Sequence, residues 1–204
     1  SLAGDLRPNL VYSILLANAA LVDTVALFHA SHGNLLTGAT SVLNPTAAKN
    51  GVAAMLKQTS NGRSLNINAG YCIVPPDLKF QSRQIWGSPT VGPTGVIAAT
   101  QGELGTQNPL YEEGVVTRTD NRVGVGGVVD PTTGETRAGT ATNWFLAAKG
   151  GRRTIEVGYL RGQKTPELRG EASPVGSWGF NFDVKYDIGA KALDFRGLLK
   201  SDGA

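Results

Sequence analysis

The most regular hydrophobic pattern in the chain lies near its end, in residues 178–188. Every even position there is apolar, and every odd position is Gly, Asn, Asp or Lys. Side chains alternate between the two faces of a β-strand, so this period of two predicts a strand with one apolar and one polar face. We expect the apolar face to pack into a core and the polar face to be solvated. The predicted core-facing residues are Trp178, Phe180, Phe182, Val184 and Tyr186, and the predicted solvent-facing residues are Asn181, Asp183 and Lys185.

The first half of the chain shows helical patterns, which predict helices over 8–21, 44–62 and 76–86. We expect the first helix to begin after Pro8 and to be buried, because its apolar residues run almost all round. The second has Asn44 as its N-cap, Pro45 as its first residue and Asn61-Gly62 at its end. Pro76 opens the third. The predicted apolar face of the second helix consists of Ala48, Val52, Met55 and Leu56.

The second half is dominated by strand patterns, with a hairpin turn predicted at Asp130–Glu135. Residues 87–109 carry no sustained period and are rich in Gly, Pro and Thr, so we expect an irregular, poorly ordered loop there. The order of elements indicates an α+β fold in one domain, with a helix-rich part over 8–86 and a strand-rich part over 110–204. The predicted strands lie within 25–30, 64–68, 71–76, 114–120, 122–130, 142–150, 154–160 and 178–188.

Composition places the chain among globular domains with a substantial core: it has 204 residues, of which 41% are hydrophobic. A net charge of only +3 argues against sequence-specific nucleic-acid binding. Residues 1–100 hold six Lys/Arg and three Asp/Glu, whereas residues 101–204 hold thirteen of each. The charge-poor first half therefore either folds around a large core or contacts other protein. The apolar run at 10–22 is too short to cross a bilayer, and we expect no membrane partner.

Candidate chemistry is sparse, because the chain has only two histidines and one cysteine. His29 and His32, with Asp23 as a third ligand, would be the metal site of a hydrolase. We favour a structural interpretation in which these side chains bond to turn backbone, because no carboxylate cluster accompanies them. Cys72 lies in an apolar run and is interpreted as a buried, inert thiol.

Three further motifs are weak candidates. Glu112 and Glu113 are adjacent, which in a strand would put them on opposite faces and make them a poor acid–base pair. The segment Gly150–Thr154 reads as a turn with two arginines, either solvated or contacting another subunit or a phosphate. The glycine-rich run at 122–127 is not followed by a helix, so it indicates a close-packed strand or hairpin edge rather than a phosphate loop.

Three segments, in this order and spacing, resemble the major capsid proteins of tailed phages and prophages, of the Mu-like major head subunit type. They are "LFHASHGNL" (Leu27–Leu35), "AAMLKQTSNGRSLNINAGYCIVPPDL" (Ala53–Leu78), and "NWFLAAKGGRRTIEVGYLRGQKTPEL" (Asn143–Leu168) running into "FDVKYDIGAKALDFRG" (Phe182–Gly197). The likeness spans about Leu27 to Gly197, and residues 87–109 and 120–140 carry none of it.

The resemblance implies a Hong Kong 97-like capsid fold and a structural function, with no enzyme activity, no cofactor and no catalytic or metal-binding residues. It implies partners that are other copies of the chain, a scaffold or prohead protease, and packaged DNA held non-specifically. It also implies a location in the virion, after assembly in the bacterial cytoplasm. Relatives have an N-terminal arm, an extended loop and a long spine helix, so residues 1–204 are interpreted as a single capsid-subunit fragment. We expect this chain alone to be monomeric or weakly associated; a phage tail or adaptor module and the metal-dependent hydrolase remain the alternatives.

Overall fold

The computed structural model describes residues 2–91, 106–150, 153–172 and 179–203. Helices and several sheets both occur within these ranges, which confirms the α+β class. Helices α1–α4 are Leu2–Ala17, Pro45–Leu56, Lys79–Gly87 and Pro109–Glu112. Strands β1–β15 are Leu35–Leu36, Thr59–Ser60, Arg63–Ser64, Ala69–Val74, Thr90–Val91, Thr106–Gln107, Val116–Thr119, Val128–Val129, Thr136–Arg137, Trp144–Ala148, Ile155–Tyr159, Glu167–Ala172, Phe180–Lys185, Ile188–Ala192 and Leu198–Ser201.

The centre of the molecule is a five-stranded mixed sheet in the order β1-β15-β10-β4-β7. The two outer pairs are parallel, and β10 runs antiparallel to both of its neighbours. Apolar side chains on β10 project to both faces: Trp144 and Leu146 enter one buried cluster, and Phe145 enters the other. The sheet is therefore covered on both sides, which is why this strand reads as a continuous apolar run rather than an alternating one.

Helices α2 and α3 cover the face that contains Trp144. The α2 start is confirmed, because the Asn44 side chain accepts a hydrogen bond from the Ala47 amide and Pro45 is the first helical residue. Ala48, Val52 and Met55 are buried as predicted, and Leu56 is partly buried. The predicted end at Asn61-Gly62 is wrong, because α2 stops at Leu56 and those two residues form the tight turn between β2 and β3.

Helix α1 contributes to the opposite face, and its predicted start after Pro8 is wrong. The helix already runs from Leu2, with Pro8 inside it. Arg122 supports this first part from outside: its guanidinium donates to the carboxylate of Asp5 at 3.0 Å and to the side-chain oxygen of Asn9 at 2.7 Å. The helix is thus held on both sides of the proline, which removes one backbone donor without ending it.

The predicted strand at 25–30 does not form, although Leu27 and Phe28 are fully buried. The backbone groups of Phe28 bond instead to the side-chain amide of Asn18, with its N–H donating at 2.7 Å and its carbonyl accepting at 3.2 Å. The buried Asn34 does the same for the Leu27 carbonyl and the His29 amide. Two asparagine amides thus replace the neighbouring strand that buried backbone groups would otherwise require.

Several shorter predicted elements can also be compared with the structure. Residues 64–68 form a strand only at Ser64, and 122–130 contain a short 3₁₀ turn at Asn121–Val123 before β8. The hairpin turn at Asp130–Glu135 is confirmed between β8 and β9. Residues 92–105, most of the predicted irregular loop, lie outside the described residues, and its two ends pair as β5 and β6. No helix in the described part of the chain is long and apolar enough to span a membrane.

Candidate functional site

The predicted metal ligands Asp23 and His32 do meet, but in an arrangement that stabilises a loop. His32 Nε2 lies 2.8 Å from Asp23 Oδ2, and its Nδ1 lies 3.4 Å from the Leu27 carbonyl. Asp23 also accepts from the Val25 amide, and His29 Nδ1 accepts from the Ser31 amide, which caps the turn Ala30–His32. Among the described residues, no three His, Cys, Asp or Glu side chains are grouped so that they could hold a metal ion.

The His32 ring also joins two of the segments that carry the sequence resemblance. It stacks on Phe195 with parallel rings whose centres are 3.8 Å apart. Beside it, Arg196 donates to the Thr59 carbonyl at 3.0 Å, and the Gly197 amide donates to the Gln58 side chain at 2.9 Å. All three resemblance segments therefore contribute contacts to the loop that precedes β15.

The Asp23–His32 pair predicts a specific pH dependence. The hydrogen bond from His32 and the Val25 amide lower the pKa of the Asp23 carboxyl. A lowered pKa in the folded state means that the stabilisation is present above the unfolded pKa and is lost as pH falls through the folded one. We expect the difference in unfolding free energy between wild type and Asp23→Asn to be present at pH 5 and to shrink as the pH falls below about 4, in urea melts at several pH values. A difference that vanished between pH 7 and 5 would show that another group controls the contact.

Cys72 is buried in the cluster beneath α2 and α3, as predicted. Burial raises the pKa of its thiol to about 11, so the reactive thiolate is scarce at pH 8. We expect no labelling of the folded protein by a thiol reagent at pH 8 and one labelled thiol per chain after unfolding. Rapid labelling of the native protein would show that this part of the core opens.

The other weak candidates are not assembled into a site. Glu112 ends the short helix α4 and Glu113 follows as its cap, so the pair lies at a helix end and not in a strand. Arg153 is exposed, and Arg152 lies outside the described residues. Gly127 confirms the close-packed hairpin edge, since a Cβ there would lie 2.2 Å from the Arg137 carbonyl oxygen.

The feature that sequence reasoning misplaced is the aromatic strand. It is broken at Tyr186-Asp187 into β13 and β14, and among the described strands β13 pairs with β12 alone. Every residue of β13 is exposed, with Phe180 at 73% and Phe182 at 65%. The prediction that these side chains enter the core of the subunit is therefore wrong, and Trp178 lies outside the described residues. The alternation is real, but no described element covers the apolar face.

Cross-strand register makes this hairpin strongly two-faced. Side chains directly opposite each other share a face, so the pairs Leu168–Val184 and Gly170–Phe182, with Phe180 on the same side of β13, form one uncharged surface. Pairs of opposite charge occupy the other surface: Glu167 with Lys185 and Arg169 with Asp183. We name the first surface the aromatic face, defined by Leu168, Phe180, Phe182 and Val184. An exposed apolar face of this kind marks a protein contact.

A family model described as "Phage capsid protein" matches residues 3–201, which is nearly the whole chain. No curated protein and no solved structure matches it. The match covers all the described elements up to β15, including both the packed sheet and the exposed hairpin. This chain belongs to the phage capsid protein family.

Proposed function

We propose that this capsid protein is a major head subunit of the Mu-like type with a Hong Kong 97-like fold, and that its copies self-assemble into an icosahedral shell around DNA. Membership of a capsid family implies a structural role in the virion and assembly with other capsid copies. The mixed sheet is packed on both faces, which supports a rigid subunit. A closed shell is built from rigid subunits joined by many weak contacts, and symmetry repeats each contact.

The observation that carries the proposal is the exposed aromatic face on β12 and β13. Burying a phenylalanine side chain stabilises by about 1.5–3 kcal/mol relative to leaving it in water, so two exposed rings side by side favour a partner. The ring centres of Phe180 and Phe182 are 6.5 Å apart on the same side of the strand. Because the partners of a capsid protein are its own copies, we expect another subunit to bury these two rings.

The finer parts of the proposal concern the remaining partners. A net charge of +3 supports enclosure of DNA without sequence readout, since specific binding needs a clustered basic surface. A scaffold or a prohead protease would act during assembly in the bacterial cytoplasm, before the virion forms. The hydrolase alternative loses its support, because His32 is already engaged by Asp23 and Phe195.

The test is negative-stain electron microscopy of the protein expressed from its complete reading frame. Closed shells or hexamers are the expected result. Rings or tubes of uniform width would instead favour the tail or adaptor alternative. Particles that form only as irregular aggregates, or a strictly monomeric protein at all concentrations, would overturn the proposal.

A further inference from the structure

Strands β11 to β14 form a hairpin arm with two parts, described over residues 155–172 and 179–192. The proximal part is the pair β11 and β14, whose inner side chains Ile155 and Ala192 pack against the second core cluster on the α1 side. The distal part is the pair β12 and β13, which carries the aromatic face. The two parts are separated by a break at 160–166 on one strand and 186–187 on the other.

The outer surface of the proximal part is a shallow groove with a glycine floor. Gly158 and Gly189 are directly paired across β11 and β14, so no side chain rises from the middle of this surface. No described residue beyond its chain neighbours lies within 4 Å of where a Cβ on Gly189 would sit. The exposed side chains of Leu160 and Leu193 line the cavity, whose volume is about 670 Å³. We name it the glycine groove.

We propose that the aromatic face of one subunit docks into the glycine groove of a second copy; this inference rests on the proposed function. The two surfaces are complementary in shape, because one presents two phenyl rings and the other lacks side chains along its centre. A groove of about 670 Å³ lies within the ~300–1,000 Å³ of pockets that hold drug-sized ligands, so it has room for both rings. Neither surface carries a charge at its centre: the charged pairs of β12 and β13 lie on the opposite face of that hairpin, and Glu156 opposite Lys191 lies at the edge of the groove.

The groove is filled by another copy rather than by its own arm. Phe182 and Gly189 are seven residues apart along the arm, which in extended strands is about 20 Å. The aromatic face would reach the groove of the same chain only if the arm folded back at its break. In the subunit both surfaces are open, as the exposure of Phe182 and the space above Gly189 show.

The size of the contact agrees with weak pairwise association. Aromatic side chains bury about 150–250 Å² each, so this face falls short of the roughly 800 Å² per partner of a standard stable interface. Because the aromatic face and the groove are different surfaces, the contact is heterologous and repeats from copy to copy. Such a contact is effective when a closed ring repeats it, and it leaves isolated chains monomeric or weakly associated.

The test is site-directed disulfide cross-linking between two single variants of the full chain, Val184→Cys and Gly189→Cys, which keep both phenyl rings of the aromatic face. The buried Cys72 does not interfere, and both substituted positions are exposed. Under mild oxidation by copper phenanthroline, a mixture of the two variants is expected to form a covalent heterodimer on non-reducing gels. The matched control replaces Gly189→Cys by Gly87→Cys, because Gly87 is also exposed with open space around it. We expect cross-linking about tenfold or more faster with position 189 than with position 87, because docking raises the local thiol concentration.

The possible outcomes separate this inference from the proposed function. A ladder of oligomers from the double variant Val184→Cys/Gly189→Cys would support head-to-tail docking. Dimers from Val184→Cys alone, equal to those in the mixture, would overturn it in favour of aromatic faces that pair with each other. Shells in the microscope without a 184–189 cross-link would leave the proposed function standing and refute this contact. A specific cross-link without shells would support the contact and count against the closed shell.

Discussion

Replacing Trp144 by alanine is expected to lower the free energy of unfolding by about 3–5 kcal/mol. Its side chain is fully buried at the centre of the sheet, between β10 and the helices above it. The indole N–H donates to the Ser41 carbonyl at 2.9 Å, and the Ser201 hydroxyl donates to the same oxygen at 2.7 Å. The substitution therefore leaves a large cavity and removes a buried hydrogen bond. Urea melts followed by far-UV circular dichroism measure the change.

Phe182→Ala is the matched control for this prediction. The ring is 65% exposed and lies over Gly170 of the paired strand. We therefore expect its removal to lower the unfolding free energy of the isolated subunit by no more than about 0.5 kcal/mol. The alternating pattern alone predicts a loss like that at Trp144. Equal losses at the two positions in dilute monomer would mean that the aromatic face packs against its own subunit in solution, which would contradict the exposed hairpin.

Replacing Asn108 by leucine is expected to cost about 3 kcal/mol or more, because it leaves two buried groups unpaired at about 1–3 kcal/mol each and a third, partly buried, group without its partner. Asn108 is almost fully buried, and its amide donates to the carbonyls of Ile85 and Ser88, both at 2.8 Å. Its side-chain oxygen accepts from the Leu110 amide at 3.1 Å. The side chain thereby joins the end of α3 to the start of α4 and closes the base of segment 87–109. Leucine has a similar size but cannot make any of these bonds.

The control for Asn108 is Asn181→Leu, on the polar face of β13. Asn181 is exposed, so we expect its replacement to change the unfolding free energy within about 0.5 kcal/mol. Urea melts of both variants give the comparison. A small loss at Asn108 would mean that water replaces the missing amide, and the junction of α3 and α4 would then not depend on this side chain.

Local signals in the sequence were sufficient wherever the controlling interaction is local. Asn44 and Pro45 predict the start of α2 because the cap bond joins residues three apart, and this is the bond that forms. The continuous apolar run around Phe145 predicts a strand, and the charged turn at Asp130–Glu135 predicts a hairpin. The resemblance segments predict the capsid family, which the family match confirms.

Secondary-structure predictions failed at two places where the hydrogen-bond partner lies outside the local pattern. The segment around Phe28 has a strand-like composition, yet the side chain of Asn18 satisfies its backbone. Pro8 is a signal for a helix start, yet Arg122, more than a hundred residues later, holds the helix on both sides of it. Asn18 lies ten residues before Phe28 and outside the predicted strand, and Arg122 lies more than a hundred residues from Pro8, so neither partner belongs to the pattern from which the element was predicted.

The aromatic strand shows most clearly what the sequence pattern determines and what only the tertiary structure determines. The period of two by itself determined that Phe180 and Phe182 share one face and that Asp183 and Lys185 share the other, because alternation is a property of the strand backbone. Only the tertiary structure decided that this face lies on a projecting hairpin outside the core, because burial depends on which other elements can reach it. Within the subunit the helices cover the central sheet instead, where Trp144 and Phe145 already occupy both faces. The hydrophobic pattern specifies that a surface must be covered, and the fold determines whether the cover comes from the same chain or from another.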